Sequence, residues 1–379
     1  MIPSAALVAL VLLAAEGASG DVHRRAVVVD THADTTQAIV YGGVDITRPQ
    51  PEMNLDLAKA AAGGLDAQFF SIFVMPEQFK PADFYKEATR QIDVIEALAR
   101  ANPKRLRLSR TAVEVRANEK AGVMSALLGV EGGHVLGPAD EKVQLERLRE
   151  LARRGVRYMT LTWSNSNDLG GSSGDEGDIR GLTPFGRRVV GEMNRLGVVI
   201  DVSHASDATF WDAVRASDKP VLASHSSSRE LTNIPRNMTD AMLKAVAKNG
   251  GAVCVNFGAS FVDAAFHEKE KAVWVKDRKG SLAQVWPQIK AEAAAITPHV
   301  PLARLVAHIE HVAKVAGVDD TCLCSDFDGM PAFPAGMEDV SKLPALTAAL
   351  EARGFSASDV EKILGGNVLR VLEANEPKK

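Results

Sequence analysis

Residues 27–36 read "VVVDTHADTT". A run of β-branched residues there ends abruptly in Asp30, His32 and Asp34. Buried ionisable groups are costly unless they are paired, hydrogen-bonded or bound to metal. Side chains alternate faces along a strand, so His32 and Asp34 point the same way. Such spacing delivers two ligands to one metal ion. A solvated loop is the plainer account of the same residues, and the rest of the chain decides between the two.

Seven further β-type runs follow the one at 26–32: 67–74, 125–131, 157–163, 198–203, 220–225, 252–257 and 321–326. Helix-like sequence separates most of them, as in "DFYKEATRQIDVIEALARA" (83–101), "DEKVQLERLRELARRG" (140–155), "TPFGRRVVGEMNRLG" (183–197) and "TDAMLKAVAKNG" (239–250). Thr183 before Pro184 reads as an N-cap with proline at the first helical position. Gly155, Gly197 and Gly250 fall where helix C-caps belong. Strands alternating with helices form parallel β-α units, and eight of them predict a (β/α)₈ TIM-type barrel. A doubly wound open sheet is the alternative. Its dinucleotide-binding form is disfavoured, because no Gly-x-Gly-x-x-Gly follows the first strand. Two segments exceed a minimal barrel. Residues 168–182 read as a long Gly-rich, acidic loop after the fourth strand. Residues 263–300 read as a helical insertion between the seventh and eighth, acting as a lid, an oligomer contact or decoration.

Composition narrows the function. The 379 residues are 46% hydrophobic and 24% charged, with a formal net charge of −4. The chain is long enough for ample core. Nothing in the charge points to nucleic acid or an anionic membrane surface, and 5% aromatics offers little for stacking single strands. Residues 1–20 carry an apolar run from Ala5 to Ala15, short for a membrane span but suited to a signal-peptide core. The usual basic start is missing. We expect a signal peptide at 1–20, cleaved near Ala18–Gly20, and a single barrel domain at 21–379. Such a protein is exported, periplasmic or secreted, without a transmembrane anchor. Cys254, Cys322 and Cys324 make no zinc spacing or disulfide framework and read as small core residues.

Polar residues then fall at the ends of the predicted strands. The first ends in His32 and Asp34, the third in Glu131, the fifth in His204, the sixth in His225 and the eighth in Asp326 and Asp328. In a barrel enzyme the C-terminal strand ends converge on one mouth, where catalytic groups sit. Three histidines and several carboxylates exceed the needs of one zinc ion. A two-metal site with a shared carboxylate uses them.

These residues also lie in ordered motifs: "VVDTHAD", "LLGVEGGH", "GVRYMTLTW", "GLTPFGRRVVGEMNRLGVVIDVSH", "SHSSSRELTNIPRNM", "VAKVAGVDD" and "SDFDGMPAFPAGMEDVSKLP". Together they resemble the membrane (renal) dipeptidase family of zinc peptidases over nearly the whole chain after residue 20. The resemblance implies a (β/α)₈ fold, two Zn²⁺ ions and small dipeptide substrates. It assigns His32 and Asp34 to one zinc, His204 and His225 to the other, and Glu131 to a bridge between them. It makes Asp326 the acid/base and Arg236, in "IPRNM", the partner of the substrate's terminal carboxylate. The implied reaction is attack by a metal-bridging hydroxide on the peptide bond of a short peptide with a free carboxyl end. Asp326 then relays the proton, and an Arg fork grips the carboxylate.

Two residues depart from that family's pattern. Trp163 stands after "YMTLT", where the family usually has an oxyanion-stabilising histidine. Gly258 follows "VNF", where many members have tyrosine. The five metal ligands are untouched. A related amidohydrolase acting on another carboxylate-bearing amide, or a weakly active binding homologue, stays open on account of Trp163. His308 and His311 read as structural or surface residues, and His134 as a neighbour that orients Glu131. His23, His267 and His299 read as exposed or loop residues, and Asp328 as a brace for the loop after the eighth strand. The sequence fixes no oligomeric state; a homodimer is the assembly considered.

Overall fold

β1 (Val29–Ala33) opens the sheet and is buried throughout. It is followed by β2 (Ala67–Phe73), β3 (Leu106–Leu108), β4 (Met124–Glu131), β5 (Val156–Thr160), β6 (Val199–Asp201), β7 (Leu222–Ser226), β8 (Ala252–Asn256) and β9 (Thr321–Cys324). The computed structural model describes residues 21–377 except 176, 178 and 179. The expected signal segment at 1–20 lies outside the described residues.

All the ladders are parallel, in the order β1-β2-β4-β5-β6-β7-β8-β9. β9 comes back to β1 through a bridge between Ala33 and Phe327. Two backbone bonds seal this seam: Asp34 N–H donates to the Phe327 carbonyl at 2.9 Å, and Asp326 N–H to the His32 carbonyl at 3.0 Å. The eight expected strands therefore form a nearly closed (β/α)₈ barrel. β3 is an addition. β5 pairs with β4 only along Leu128–Val130, and β3 takes up the earlier edge at Met124–Ala126.

The helices form where capping chemistry and pattern agree. Helix Pro184–Leu196 starts at Thr183, whose side chain accepts from Gly186 N–H, and ends at Gly197 in the left-handed conformation. Helix Glu141–Arg153 starts on Asp140, which accepts from Val143 N–H. The insertion after β8 holds helices Ala259–Val262, Ala264–Trp274 and Leu282–Ala294, and it precedes Leu302–Val315.

The barrel interior is filled by Phe69, Leu127, Tyr158, Val199 and Leu222, and helix Asn367–Asn375 closes one end with Val368, Leu369 and Leu372. Each such side chain contributes roughly 1.5–3 kcal/mol by leaving water. Tyr158 lies opposite Gly129 on β4. A Cβ at Gly129 would fall 2.0 Å from the tyrosine ring, so only glycine admits that ring here. Cys254 and Cys322 also face each other in register. They are core residues, as expected, but they are joined in a disulfide, and Cys324 alone is free. A separation of 68 residues hides such a pair from any reading of spacing.

Candidate metal centre

The ends of β1, β4, β6 and β7 bring three imidazoles and two carboxylates together. His32 Nε2 lies 3.3 Å from Glu131 Oε2 and 3.9 Å from Asp34 Oδ1. His204 Nε2 is 3.0 Å and His225 Nε2 3.5 Å from Glu131 Oε1. The His32 and His225 rings stack at 4.1 Å, and those of His204 and His225 meet edge-on at 4.9 Å. One potential ligand atom from each of His32, Glu131 and His225 falls within 4.8 Å of the others, and the same holds for His32, Asp34 and Asp326. All these side chains are buried except Asp34, which is nearly so.

Supporting bonds decide which imidazole nitrogen faces Glu131. Tyr158 O–H donates to the Thr31 carbonyl at 3.1 Å, and its oxygen lies 2.7 Å from His32 Nδ1. With the phenol proton engaged, the tyrosine oxygen accepts from Nδ1–H, which leaves Nε2 as the nitrogen that faces Glu131. Likewise the Ser224 hydroxyl donates to Asp201 Oδ2 at 2.6 Å and lies 2.7 Å from His225 Nδ1. Asp201 is fully buried and also accepts from Ser203 N–H, Ser224 N–H and the Thr160 hydroxyl. Both histidines thus turn Nε2 toward the cluster. His32 Nε2, Asp34 Oδ1 and His204 Nδ1 have no hydrogen-bond partner among the described residues. Buried polar atoms left without partners are costly as they stand. That donor set fits divalent cations.

The charge balance of the protein alone leads to the same conclusion. Burial pushes the His32 pKa down, but Glu131, Asp34 and Asp326 outweigh it and raise it to about 10. Burial pushes Glu131 up, yet His32 and the other two imidazoles hold it well below the usual range. His204 falls to about 3 and His225 well below its ordinary value, both through burial first. Asp34 is raised well above the usual range by burial and by the Glu131 charge. One proton on His32 thus does the work of a cation.

Asp326 stands beside this cluster. Asn256 Nδ2–H donates to its Oδ2 at 2.7 Å, while Asn256 Oδ1 accepts from Gly258 N–H at 2.6 Å. Burial raises the Asp326 pKa, and His32 opposes the rise. Gly329 is the space that admits this acid and its neighbour: a Cβ there would fall 2.1 Å from Asp34 Oδ2 and 2.8 Å from Asp326 Oδ1. His204, Asp326 and Asp328 all adopt positive φ, an uncommon conformation for such residues. Asp328 braces the mouth, accepting from the Thr35 hydroxyl and Asn54 N–H.

Arg236 reaches the same cavity. Its Nη2 donates to the His225 carbonyl at 3.3 Å, and its Nη1 is buried without a partner among the described residues. The guanidinium lies 5.3 Å over the Phe261 ring. Burial lowers its pKa to about 10, with Asp326 and Glu131 opposing, so it stays cationic at neutral pH. Trp163 also lines the cavity. Its ring lies 4.7 Å from Phe73 and 6.3 Å from His204.

Two of the expected minor roles need revision. His134 does not orient Glu131; its Nε2 bonds the Val74 carbonyl at 2.8 Å. His23 is buried rather than exposed, held by Thr347 and the Gly63 carbonyl. Asp30 is not a site residue. It accepts from Ser325 N–H and hydroxyl, tying β1 to the end of β9. His308 and His311 are structural, as expected: His308 bonds Ser228 and Thr232, and His311 bonds Asp240. Sequence reading missed Tyr158, Asp201, Ser224 and Asn256. The one usable signal was Asp201, an acid inside the apolar run "GVVIDV".

Comparison with known proteins agrees with this architecture. The family model for membrane dipeptidases, peptidase family M19, matches residues 18–379. The dipeptidase tcpJ of Claviceps purpurea is 33% identical over 331 residues, 85% of this chain and 69% of that protein. The metallo peptidase of Rhodobacter sphaeroides, solved with a phosphinate mimic of the dipeptide L-Ala-D-Ala, is 26% identical. Its TM-score is 0.76, over 92% of this chain and 99% of that one. The probable dipeptidase PvdM of Pseudomonas aeruginosa shares the fold at 24% identity and a TM-score of 0.79, over 95% of this chain and 98% of that one. With its barrel, its strand-end cluster and this match over nearly its full length, the chain belongs to the membrane dipeptidase family of metallopeptidases.

Proposed function

We propose that the protein is a binuclear zinc dipeptidase that cleaves short peptides bearing a free C-terminal carboxylate. The observation that carries this reading is the convergence of His32, His204 and His225 on Glu131, with Asp34 beside them and few donors among them. In it, His32 and Asp34 would hold one zinc, His204 and His225 would hold the other, and Glu131 would serve both. Bound zinc lowers the pKa of water and polarises a carbonyl. Asp326 accepts the proton that water loses and returns it to the departing amine as the C–N bond breaks. Arg236 takes the substrate carboxylate as a bidentate ion pair, with its guanidinium over the Phe261 ring. Tyr158 and Ser224 keep two imidazoles in the metal-binding tautomer.

Among the described residues no helix is long and apolar enough to cross a membrane. Our reading includes removal of residues 1–20 as a signal peptide and export of one barrel domain. The Cys254–Cys322 disulfide suits an oxidising compartment.

Elemental analysis and a pair of substrates test the proposal. Zinc-loaded protein should hold about two equivalents per chain, hydrolyse a free dipeptide, and act poorly on the corresponding C-terminal amide. Arg236→Met should abolish that difference between acid and amide. A persistent stoichiometry of one, or equal turnover of acid and amide by the unaltered protein, overturns it.

Trp163 supplies a separate test. Asn167 is committed to the loop after β5, donating to the Leu161 carbonyl and accepting from Leu169 N–H. Asn165 donates through Nδ2 to the Ser166 carbonyl at 3.3 Å, and the second N–H of that amide is the other candidate donor. If the indole is an imperfect oxyanion donor, Trp163→His raises turnover of a simple dipeptide toward the ~10²–10³ that one such donor is worth, at unchanged metal content. Unchanged or lower turnover, with a slow Asn165→Ala variant, assigns the donor to Asn165 instead.

A further inference from the structure

The cavity above the strand ends encloses about 1130 Å³. Cavities of about 300–1,000 Å³ already house drug-sized ligands, and a dipeptide of two small residues is smaller than those. Glu131, His204, His225, Arg236 and Asp326 line its floor. The additional space lies between helix Thr35–Gly42, which follows β1, and the insertion after β8. Helix Leu282–Ala294 of that insertion packs against helix Thr35–Gly42. Tyr41, Met53, Trp274, Leu282, Trp286 and Pro287 wall the annex. The Trp274 and Trp286 rings lie 6.1 Å apart, tilted by 43°, and Trp274 is 43% exposed. A paired indole surface left open inside an active-site cavity is strongly suited to binding apolar groups.

We infer that this annex is a subsite for a bulky apolar side chain on the amino side of the scissile bond. The preferred substrate is then a dipeptide with an aromatic or long aliphatic amino-terminal residue. The inference rests on the dipeptidase reading above. Direction follows from the anchors. Arg236 bonds the end of β7 and lies over Phe261, in the insertion's first short helix next to β8, so the carboxylate sits on that side, while the insertion's later helices carry Trp274 and Trp286 beside helix Thr35–Gly42. The scissile bond then lies over Glu131 and Asp326. What remains of a dipeptide, its amino-side residue, extends away from Arg236 toward β1 and the annex. The insertion thus becomes a specificity wall rather than decoration.

One polar group bears on the choice of ligand. Glu270 is 3% exposed and its Oε1 has no partner among the described residues, while Trp274 Nε1–H donates to its Oε2 at 3.4 Å. A carboxylate beside two indoles could instead select a cationic side chain, and the test separates the two.

Zinc-loaded protein is assayed on Ala-Ala, Leu-Ala, Phe-Ala, Trp-Ala, Lys-Ala and Arg-Ala. The expected result is kcat/KM ~10²-fold higher for the Phe and Trp members than for Ala-Ala, expressed mainly in KM. Trp286→Ala should bring that ratio toward unity and Trp286→Leu should keep part of it, with thermal melting confirming that both variants fold. The ratio is measured within each variant, so a general loss of activity does not mimic the effect. Equal kcat/KM across the series overturns the annex and leaves the dipeptidase reading standing. Preference for the Lys and Arg members overturns the apolar assignment in favour of Glu270. Cleavage of no member overturns both readings.

Discussion

Asp326→Asn is expected to lower kcat on a free dipeptide by ~10²–10⁴ while metal content stays at that of the unaltered protein. That range is what a positioned proton carrier supplies. The substitution is nearly isosteric, and asparagine tolerates the positive φ of 56° that Asp326 adopts. It replaces a carboxylate oxygen facing the cluster with an amide, which cannot accept and release a proton. The paired measurements are steady-state kinetics and elemental analysis of one preparation. A rival role is visible in the geometry, since Asp326 also groups with His32 and Asp34 within 4.8 Å. If the variant loses metal and recovers activity on reconstitution, Asp326 is a ligand and not the proton carrier.

Glu131→Gln should do the opposite, stripping metal first and activity as a consequence. Among the described residues Glu131 is the one carboxylate within reach of all three imidazoles. Losing a partner that merely orients a ligand costs 10–100-fold in metal affinity, so losing a shared ligand's charge should cost more than ~10²-fold. The pH dependence carries a second signature. In the metal-free protein His32 is raised to about 10 and Asp34 well above its ordinary range. Both must give up protons to become ligands, so affinity rises with pH toward 10 and falls in acid. In Glu131→Gln the largest charge raising His32 is gone, burial dominates, and the pH slope flattens. Chelator competition at pH 6 and pH 8 measures both effects. Unaltered affinity and slope would sink the shared-carboxylate assignment.

The barrel and the five-residue cluster were legible for the same reason. Each of its residues sits at or near the end of an apolar run, so an ionisable group in the wrong company is itself the signal, and topology then brings strand ends together. His32, Asp34, Glu131, His204 and His225 all converge as their positions predict. Residues that act through another residue leave no such mark. Tyr158 and Asn256 look like ordinary strand residues, and Ser224 is one of several serines in "ASHSSS". Their value lies in bonds across 126, 70 and 23 residues of chain. β3 was hidden by being three residues long. The disulfide was hidden because cross-strand register, which pairs Cys254 with Cys322, is a property of the folded sheet. His23 was misread because it follows the expected leader directly, and only the folded chain brings Thr347 to it.

The contact between Gly129 and Tyr158 bears on how such a protein can vary. Position 129 has no polar atom, touches no ligand, and lies two residues before Glu131 on its strand. Yet any side chain there displaces the Tyr158 ring, and with it the oxygen that fixes the tautomer of His32. The two positions therefore form one heritable unit: a descendant can change both or neither. A mutational library that freezes every polar residue of the mouth and randomises the apolar interior would still disturb the His32 cluster, through a glycine.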